Sequence, residues 1–284
     1  MTVEIDTKQI AEVQAAVQTI YGSVFPQGDA AFVPKAFGWA DDCFTGKYRD
    51  YQAIDARYHD FQHTLQVTLC MARLMRGRHV AKALPVLTQK MFEVGLLAIL
   101  LHDTGYLKTR EDTEGTGAKY TLIHVDRSIE FAAGLLKEKG LPIEEIQAVQ
   151  NMIRCTGVNV NLSAIPFQSE QERITGYALG TGDLLGQMAA PDYVEKLPIL
   201  YSEFAEAFHH NAGEMGSEEL FSSAEDLLQK TPLFWDQYVK KKIEVEFQGL
   251  YRFLNEPYPD GNNLYVERIE KNMSRLRRQL KQAA

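Results

Sequence analysis

The sequence predicts an all-α protein, and three observations support this. Apolar residues recur three or four positions apart along almost all of the 284 residues, which is the spacing of one helix face. Long stretches of alternating apolar and polar residues, typical of half-buried strands, do not occur in the sequence. No internal repeat or linker composition is visible, so we expect one domain over residues 1–284.

Taken in chain order, the apolar spacing predicts ten helices. They lie at about 7–21, 61–77, 87–103, 120–139, 143–154, 170–189, 191–210, 217–229, 233–254 and 263–282. Irregular structure is predicted at 22–58, 109–119 and 155–168. The pair Thr231-Pro232 predicts a break between two helices, because the residue before proline disfavours helical angles. Residues from about 191 to 284 form a helical C-terminal extension in this prediction.

The helix at 61–77 has two apolar stripes and is therefore expected to be largely buried. His63 lies in its first turn, and His59 precedes it. If the helix began as early as residue 59, the two imidazoles would share one face. If it begins later, they can still reach one pocket from a loop and a helix.

The helix at 87–103 is apolar around nearly its whole circumference, which places it inside the fold. It ends in His102 and Asp103, and Gly105 follows as a plausible helix stop. A buried histidine and a buried aspartate need partners, because an unpaired buried charge is costly.

A third segment, ITGYALGTGDLLGQMA, places Gly176, Gly180, Asp183 and Gly186 on one face of the helix at 170–189. Each interior glycine costs roughly 1 kcal/mol of helix propensity relative to alanine. Glycines kept at that cost indicate that another element approaches this face closely.

His63, His102, Asp103 and Asp183 together offer two imidazoles and two carboxylates on buried helices. This ligand set suits a divalent ion such as Mn, Fe, Mg, Co or Zn. Four protein ligands in an octahedral site leave two positions for water or substrate. A water bound there can be deprotonated near neutral pH and become a nucleophile.

Composition excludes several classes of function. The formal net charge of −8 argues against a nucleic-acid polymer as partner. The longest apolar run, GLLAILL at 95–101, is too short to span a bilayer, and no secretory signal is visible at the N-terminus. Three widely spaced cysteines predict free thiols in a reducing cytoplasm. We therefore expect a cytoplasmic protein with a small-molecule partner, and homo-oligomerisation is left open.

The order of these residues resembles the HD superfamily of metal-dependent phosphohydrolases. His63, the doublet in LLAILLHDTGY and Asp183 in TGDLLGQM carry the resemblance, which covers about residues 55–190. It implies an HD-domain helical bundle with the metal site in its core. The implied reaction is hydrolysis of a small phosphoester, of the cyclic-nucleotide phosphodiesterase or nucleotidase type, in which Asp103 is a catalytic metal ligand.

The segment YHDFQHT is also similar to the Tyr-His-Asn-x-x-His segment of cyclic-nucleotide phosphodiesterases, with Asp60 in place of the asparagine. This likeness implies that His59 is the general acid that protonates the leaving oxygen, and that His63 binds metal. After the doublet the chain departs from that family. HDTGYLKTRED lacks the histidine that precedes Pro-Gly there, so a second metal ion stays open.

Three further residues are candidates for substrate binding. His124 looks like the histidine that follows the doublet in many HD hydrolases, where it helps hold a second metal or the phosphate. Lys108 and Arg110 lie close to the doublet in sequence and could contact phosphate oxygens.

Other interpretations remain open at this point. His59 alone could be a satisfied, partly buried histidine, His124 could be exposed at a helix start, and Lys108 and Arg110 could be solvated charges. The four candidate ligands could form a hydrogen-bonded network without metal. Two other classes of function are a di-iron HD-fold oxygenase and a non-catalytic HD-type sensing domain.

Overall fold

Ten α-helices account for most of the described residues, 5–211 and 220–283, in this computed structural model. They are α1 (Ile10–Val24), α2 (Phe32–Phe44), α3 (Phe61–Val80), α4 (Gln89–Leu101), α5 (His124–Glu138), α6 (Ile143–Ile153), α7 (Glu170–Met188), α8 (Tyr193–Asn211), α9 (Ala224–Leu233) and α10 (Leu264–Ala283). Two short antiparallel strands, β1 (Asn255–Glu256) and β2 (Asn262–Asn263), form the only sheet within these residues. The predicted all-α class is confirmed.

Helix α4 is the buried centre of the fold. Every residue from Phe92 to Leu101 is buried, as the apolar sequence predicts. Thr88 caps the helix, since its hydroxyl accepts a hydrogen bond from the Met91 amide at 3.2 Å. Helices α3, α6 and α7 pack around α4, so the C-terminal end of α4 lies in the interior of the fold.

Helices α3 and α7 make the most extensive helix contact, and two glycines of α7 permit it. A Cβ atom added at Gly186 would lie 2.7 Å from Cα of Val67, and one added at Gly182 would lie 2.9 Å from Cβ of Met71. The close approach that the glycine pattern predicts is therefore present. It places Asp183, between these glycines in sequence, near the start of α3.

This contact leads to a first prediction. Gly186→Ala is expected to lower the free energy of unfolding by about 1–3 kcal/mol, because the new methyl meets the backbone of α3 and overpacks the interface. Gly134→Ala in α5 is the matched control, since nothing lies within 4 Å of its added Cβ. There the gain in helix propensity should stabilise the protein by about 0.5–1 kcal/mol. Urea unfolding of both variants measures the two effects, and a Gly186→Ala protein as stable as the parent would contradict the prediction.

One cluster of buried apolar side chains includes members of all ten helices, from Val13 in α1 to Leu276 in α10. The predicted C-terminal extension thus packs on the same core as the segment that carries the candidate metal ligands. No helix among the described residues is both long enough and apolar enough to cross a membrane.

The prediction of irregular structure over 22–58 is wrong for Phe32–Phe44, which forms α2. Pro34 lies in the first turn of this helix, where its missing N–H costs nothing. Val33, Phe37 and Ala40 were spaced for one buried helix face, and all three are buried. The glycine, proline and aromatic content of 22–58 favours irregular structure, but it does not oppose a helix with its proline in the first turn.

The break predicted at Thr231-Pro232 is also wrong. Pro232 lies inside α9, and the chain continues helically through two wider π-helical stretches, Phe234–Val239 and Lys242–Glu246. The start of this helix was predicted at residue 217, and positions 212–219 lie outside the described residues.

Candidate metal centre

The start of α3 separates the two histidines of YHDFQH. Asp60 is the N-cap, because its Oδ1 accepts a hydrogen bond from the His63 amide at 2.8 Å. Its other oxygen lies 3.6 Å from Nζ of Lys196. His63 is therefore in the first turn of α3, whereas His59 lies in the preceding loop. Aspartate and asparagine are about equally good N-cap residues.

The end of α4 orients His102. This helix ends at Leu101, and Nδ1 of His102 donates to the carbonyl of Ile99 at 2.7 Å. Carbonyls in the last turn of a helix lack a partner within the helix, so the imidazole satisfies one of them. With its proton on Nδ1, the neutral ring turns an unprotonated Nε2 towards the site, which is the form that binds metals.

The four predicted ligands come together at this point. Nε2 of His63, Nε2 of His102 and a carboxylate oxygen of Asp103 lie within 4.8 Å of one another. Oδ2 of Asp103 is 3.1 Å and 3.3 Å from the two imidazole nitrogens, and Oδ1 of Asp183 is 3.4 Å and 3.6 Å from them. Atoms bound about 2.1 Å from one ion are about 3.0 Å apart at right angles and about 3.4 Å apart in a tetrahedron. These four nitrogen–oxygen distances are compatible with ligands of one ion.

Among the described residues, two buried atoms of this cluster have no hydrogen-bond partner. They are Nε2 of His102 and Oδ2 of Asp103, in side chains that are 1% and 2% exposed. Buried polar atoms without partners are rare, because each costs desolvation free energy. A cation bound between them would satisfy both. The His63–His102–Asp103 cluster can therefore hold a metal ion.

Charge within the cluster is strongly coupled. Burial alone would lower the pKa of His63, but the nearby carboxylates of Asp103 and Asp183 outweigh burial and raise that pKa to about 10. Burial would raise the pKa values of the two carboxyls, and the neighbouring imidazoles instead hold both below the usual range. Without metal, the carboxylates thus favour protonated imidazoles. A divalent ion that binds here would displace those protons.

His124 approaches from the first turn of α5. A Cβ at Gly105 would lie 2.0 Å from the His124 carbonyl oxygen, so glycine allows α5 to begin directly against the chain that follows the doublet. Nδ1 of His124 donates to the Thr121 carbonyl at 2.7 Å, and its Nε2 lies 3.8 Å from Oδ1 of Asp103. Burial lowers the pKa of His124, which favours the neutral ring.

His59 belongs to the same site, since its ring centroid is 5.5 Å from that of His63. Nδ1 of His59 lies 2.6 Å from Oε2 of Glu203 in α8. Glu203 is buried, yet its pKa is lowered: burial acts to raise it, and the charge of His59 and its hydrogen bond prevail. The ring of Tyr106 is stacked between two imidazoles. Its centroid is 4.6 Å from that of His59 and 4.8 Å from that of His124, so the three rings line one side of the site.

A family model described as Npun_R2479-like matches residues 5–256, which include every residue of this site. The chain belongs to the Npun_R2479-like family. None of the curated proteins compared with the chain gives a significant match.

In this Npun_R2479-like protein, Lys108 and Arg110 have structural partners. Nζ of Lys108 is buried, 3.0 Å from Oδ2 of Asp55 and 2.6 Å from the Gly115 carbonyl. Arg110 is exposed and donates to the Gly46 carbonyl at 3.2 Å. These contacts fix loops at the surface, and the predicted phosphate contacts of the two cations stay predictions.

Sequence reasoning missed Glu203, which lies in the predicted C-terminal extension, outside the predicted core of about 55–190. The signal was present: Glu203 precedes the buried Ala207 by one helical turn, and a glutamate on the buried face of a helix needs a partner. Gln187 was also missed. Its Nε2 donates to Oδ1 of Asp183 at 3.2 Å.

Proposed function

We propose that this Npun_R2479-like protein is an HD-type metal-dependent phosphohydrolase that acts on a small phosphoester, which we expect to be nucleotide-like. One observation carries the proposal. The site brings together two imidazole nitrogens and two carboxylate oxygens, from α3, the end of α4 and α7, with nitrogen–oxygen distances of 3.1–3.6 Å. These residues follow one another along the chain in the order that the HD hydrolases have.

The metal would be held by His63, His102, Asp103 and Asp183. A divalent ion bound there supplies Lewis acidity, which polarises a phosphoryl oxygen and lowers the pKa of a coordinated water. The side chains of Asp183, His59 and His124 are 13%, 14% and 22% exposed, whereas the other three ligands are at most 3% exposed. Substrate would therefore enter over Asp183, His59 and His124.

His59 would be the proton donor. Oε2 of Glu203 accepts a hydrogen bond from the Nδ1–H of His59, so Nε2 is the nitrogen left to act on the substrate. An ionised partner also stabilises positive charge on the ring. In the reaction, water forms a new bond to phosphorus, the ester P–O bond breaks, and the Nε2 proton of His59 moves to the leaving oxygen. A proton released from the attacking water restores His59.

The two carboxylate oxygens of Asp103 face different histidines. Its Oδ2 faces the two imidazoles, and its Oδ1 faces His124 at 3.8 Å. If a second ion is bound, Asp103 and His124 would be the residues that hold it. With one ion, His124 would instead contact a phosphoryl oxygen of the substrate.

The position of Asp103 between His102 and His124 favours one second candidate that would use two ions, a di-iron oxygenase of HD fold. Oxygen consumption distinguishes the two candidates, because phosphoester hydrolysis uses none.

Metal analysis of the purified protein, followed by phosphomonoester and cyclic-phosphodiester substrates, tests the proposal. We expect at least one divalent ion per chain, because the buried orphan atoms need a cation, and hydrolysis that stops on chelation and resumes when metal is restored. A metal-replete protein that hydrolyses no phosphoester but consumes oxygen would favour the oxygenase. A protein that binds no metal would exclude both candidates.

A further inference from the structure

Asp183 differs from the other predicted ligands in how it is held. Nδ1 of His102 is fixed by a carbonyl of its own helix, and His63 and Asp103 are almost fully buried. Asp183 lies midway along α7 and is the most exposed of the four. Its position on the metal side depends on Gln187, one helical turn later, whose Nε2 donates both to Oδ1 at 3.2 Å and to the Asp183 carbonyl at 3.0 Å.

The orientation of the Gln187 amide is set by a second residue. The hydroxyl of Tyr58 donates to Oε1 of Gln187 at 2.9 Å. Because Oε1 accepts from Tyr58, the NH₂ group of the amide must point to Asp183. Oδ1 of Asp183 accepts a hydrogen bond from Gln187 on one side. On its other side it faces the two imidazoles, where an ion would bind.

Tyr58 is itself held independently of this chain of hydrogen bonds. Its side chain is buried, and its backbone amide donates to Oε1 of Glu203 at 2.7 Å. The other oxygen of Glu203 binds His59. A single dipeptide, Tyr58-His59, is therefore anchored on Glu203, and its tyrosine reaches Asp183 through Gln187 while its histidine is the proposed proton donor.

We infer that Tyr58 and Gln187 are positioning residues that set the metal affinity of the site by holding Asp183, and that they act in series. This inference rests on the proposed function only in requiring that Asp183 bind the metal. Glu203 also contacts His59, the proposed proton donor. The same buried carboxylate therefore positions both Tyr58 and the acid.

Co²⁺ titration followed by visible absorption tests the inference without any substrate. Tyr58→Phe removes only a hydroxyl, and Gln187→Met keeps the length of the side chain. Each is expected to weaken Co²⁺ binding about 10-fold, the lower end of what loss of an outer hydrogen-bond partner costs a metal site. The double variant should bind within about twofold of Gln187→Met alone, because residues in one network are not additive. Tyr265→Phe is the control: Tyr265 is buried, its hydroxyl accepts a hydrogen bond from Arg73, ten residues after His63 in α3, and the Co²⁺ affinity of this variant should not change.

Three outcomes would overturn the inference: single variants that bind Co²⁺ as tightly as the parent, losses that multiply in the double variant, or a parent protein that binds no Co²⁺. If Gln187→Met does not fold, Tyr58→Phe decides alone. A parent that binds Co²⁺ but hydrolyses no phosphoester refutes the proposed function and leaves this inference intact. An active parent with unaffected variants refutes only the inference.

Discussion

Asp103→Ala is expected to abolish both metal binding and hydrolysis. Asp103 contacts the imidazoles of His63, His102 and His124 with its two carboxylate oxygens, so its removal takes a ligand from every arrangement of ions that the site allows. The loss in turnover should be on the order of 10³-fold or more, beyond the 10–100-fold typical when only an outer hydrogen-bond partner is lost. Metal analysis by mass spectrometry and steady-state hydrolysis measure the two effects.

The helices should survive this substitution, because Asp103 follows the end of α4 and supplies no apolar packing to the core. Circular dichroism checks that helical content is largely unchanged. Asp126→Ala is the matched control, since this aspartate in the first turn of α5 is 80% exposed and should retain metal and activity. An Asp103→Ala protein with the metal stoichiometry of the parent would show that the ligand assignment is wrong.

The parts of the fold that could be predicted are those decided by local pattern. The apolar circumference of α4 required burial, and the fold buries every residue from Phe92 to Leu101. Of the glycines predicted to allow a close approach, Gly186 lies directly against α3, whereas Gly176 and Gly180 lie against Cys155 and Phe247. Proline and apolar spacing conflict at Pro34 and Pro232. Proline predicts a loop or a helix break there, and the structure instead follows the apolar spacing, with helices α2 and α9.

The site was predictable only where its residues are of metal-ligand type and lie in a familiar order. Glu203 is 144 residues from His59, and Gln187 is 129 residues from Tyr58. Which distant polar group meets a given side chain depends on how whole helices pack, and neither spacing nor composition encodes it. The partners that orient the predicted ligands therefore emerge only with the structure.

His59→Asn is expected to separate metal binding from proton donation. His59 contacts Glu203 and the ring of Tyr106, and the four predicted ligands do not include it, so the variant should keep its metal. An alkoxide is a poor leaving group near neutral pH, and a positioned acid typically contributes about 10²–10⁴-fold to rate. Turnover of alkyl phosphoesters should fall by about that factor. Turnover of p-nitrophenyl esters should fall much less, because p-nitrophenolate leaves without needing a proton.

Three companion variants test this assignment. Glu203→Gln should show the same dependence on the leaving group in weaker form, because it retains a hydrogen-bond partner for Nδ1 but loses the negative charge that stabilises the protonated ring. His63→Asn should lose the metal and fail on both kinds of ester. His209→Asn, a histidine change at an exposed position of α8, should alter neither metal content nor turnover.

The ratio of the two rates is the decisive quantity, because it cancels losses common to both esters, such as partial unfolding or incomplete metal loading. An acid that acts on the leaving oxygen must change the ratio of alkyl to p-nitrophenyl turnover in metal-replete protein. A residue that only binds the phosphoryl group or supports the fold must leave that ratio constant, since both esters present the same group. Equal losses on both esters for metal-replete His59→Asn would therefore exclude the acid role, and the Glu203–His59 pair would then be a binding or structural contact beside the metal site.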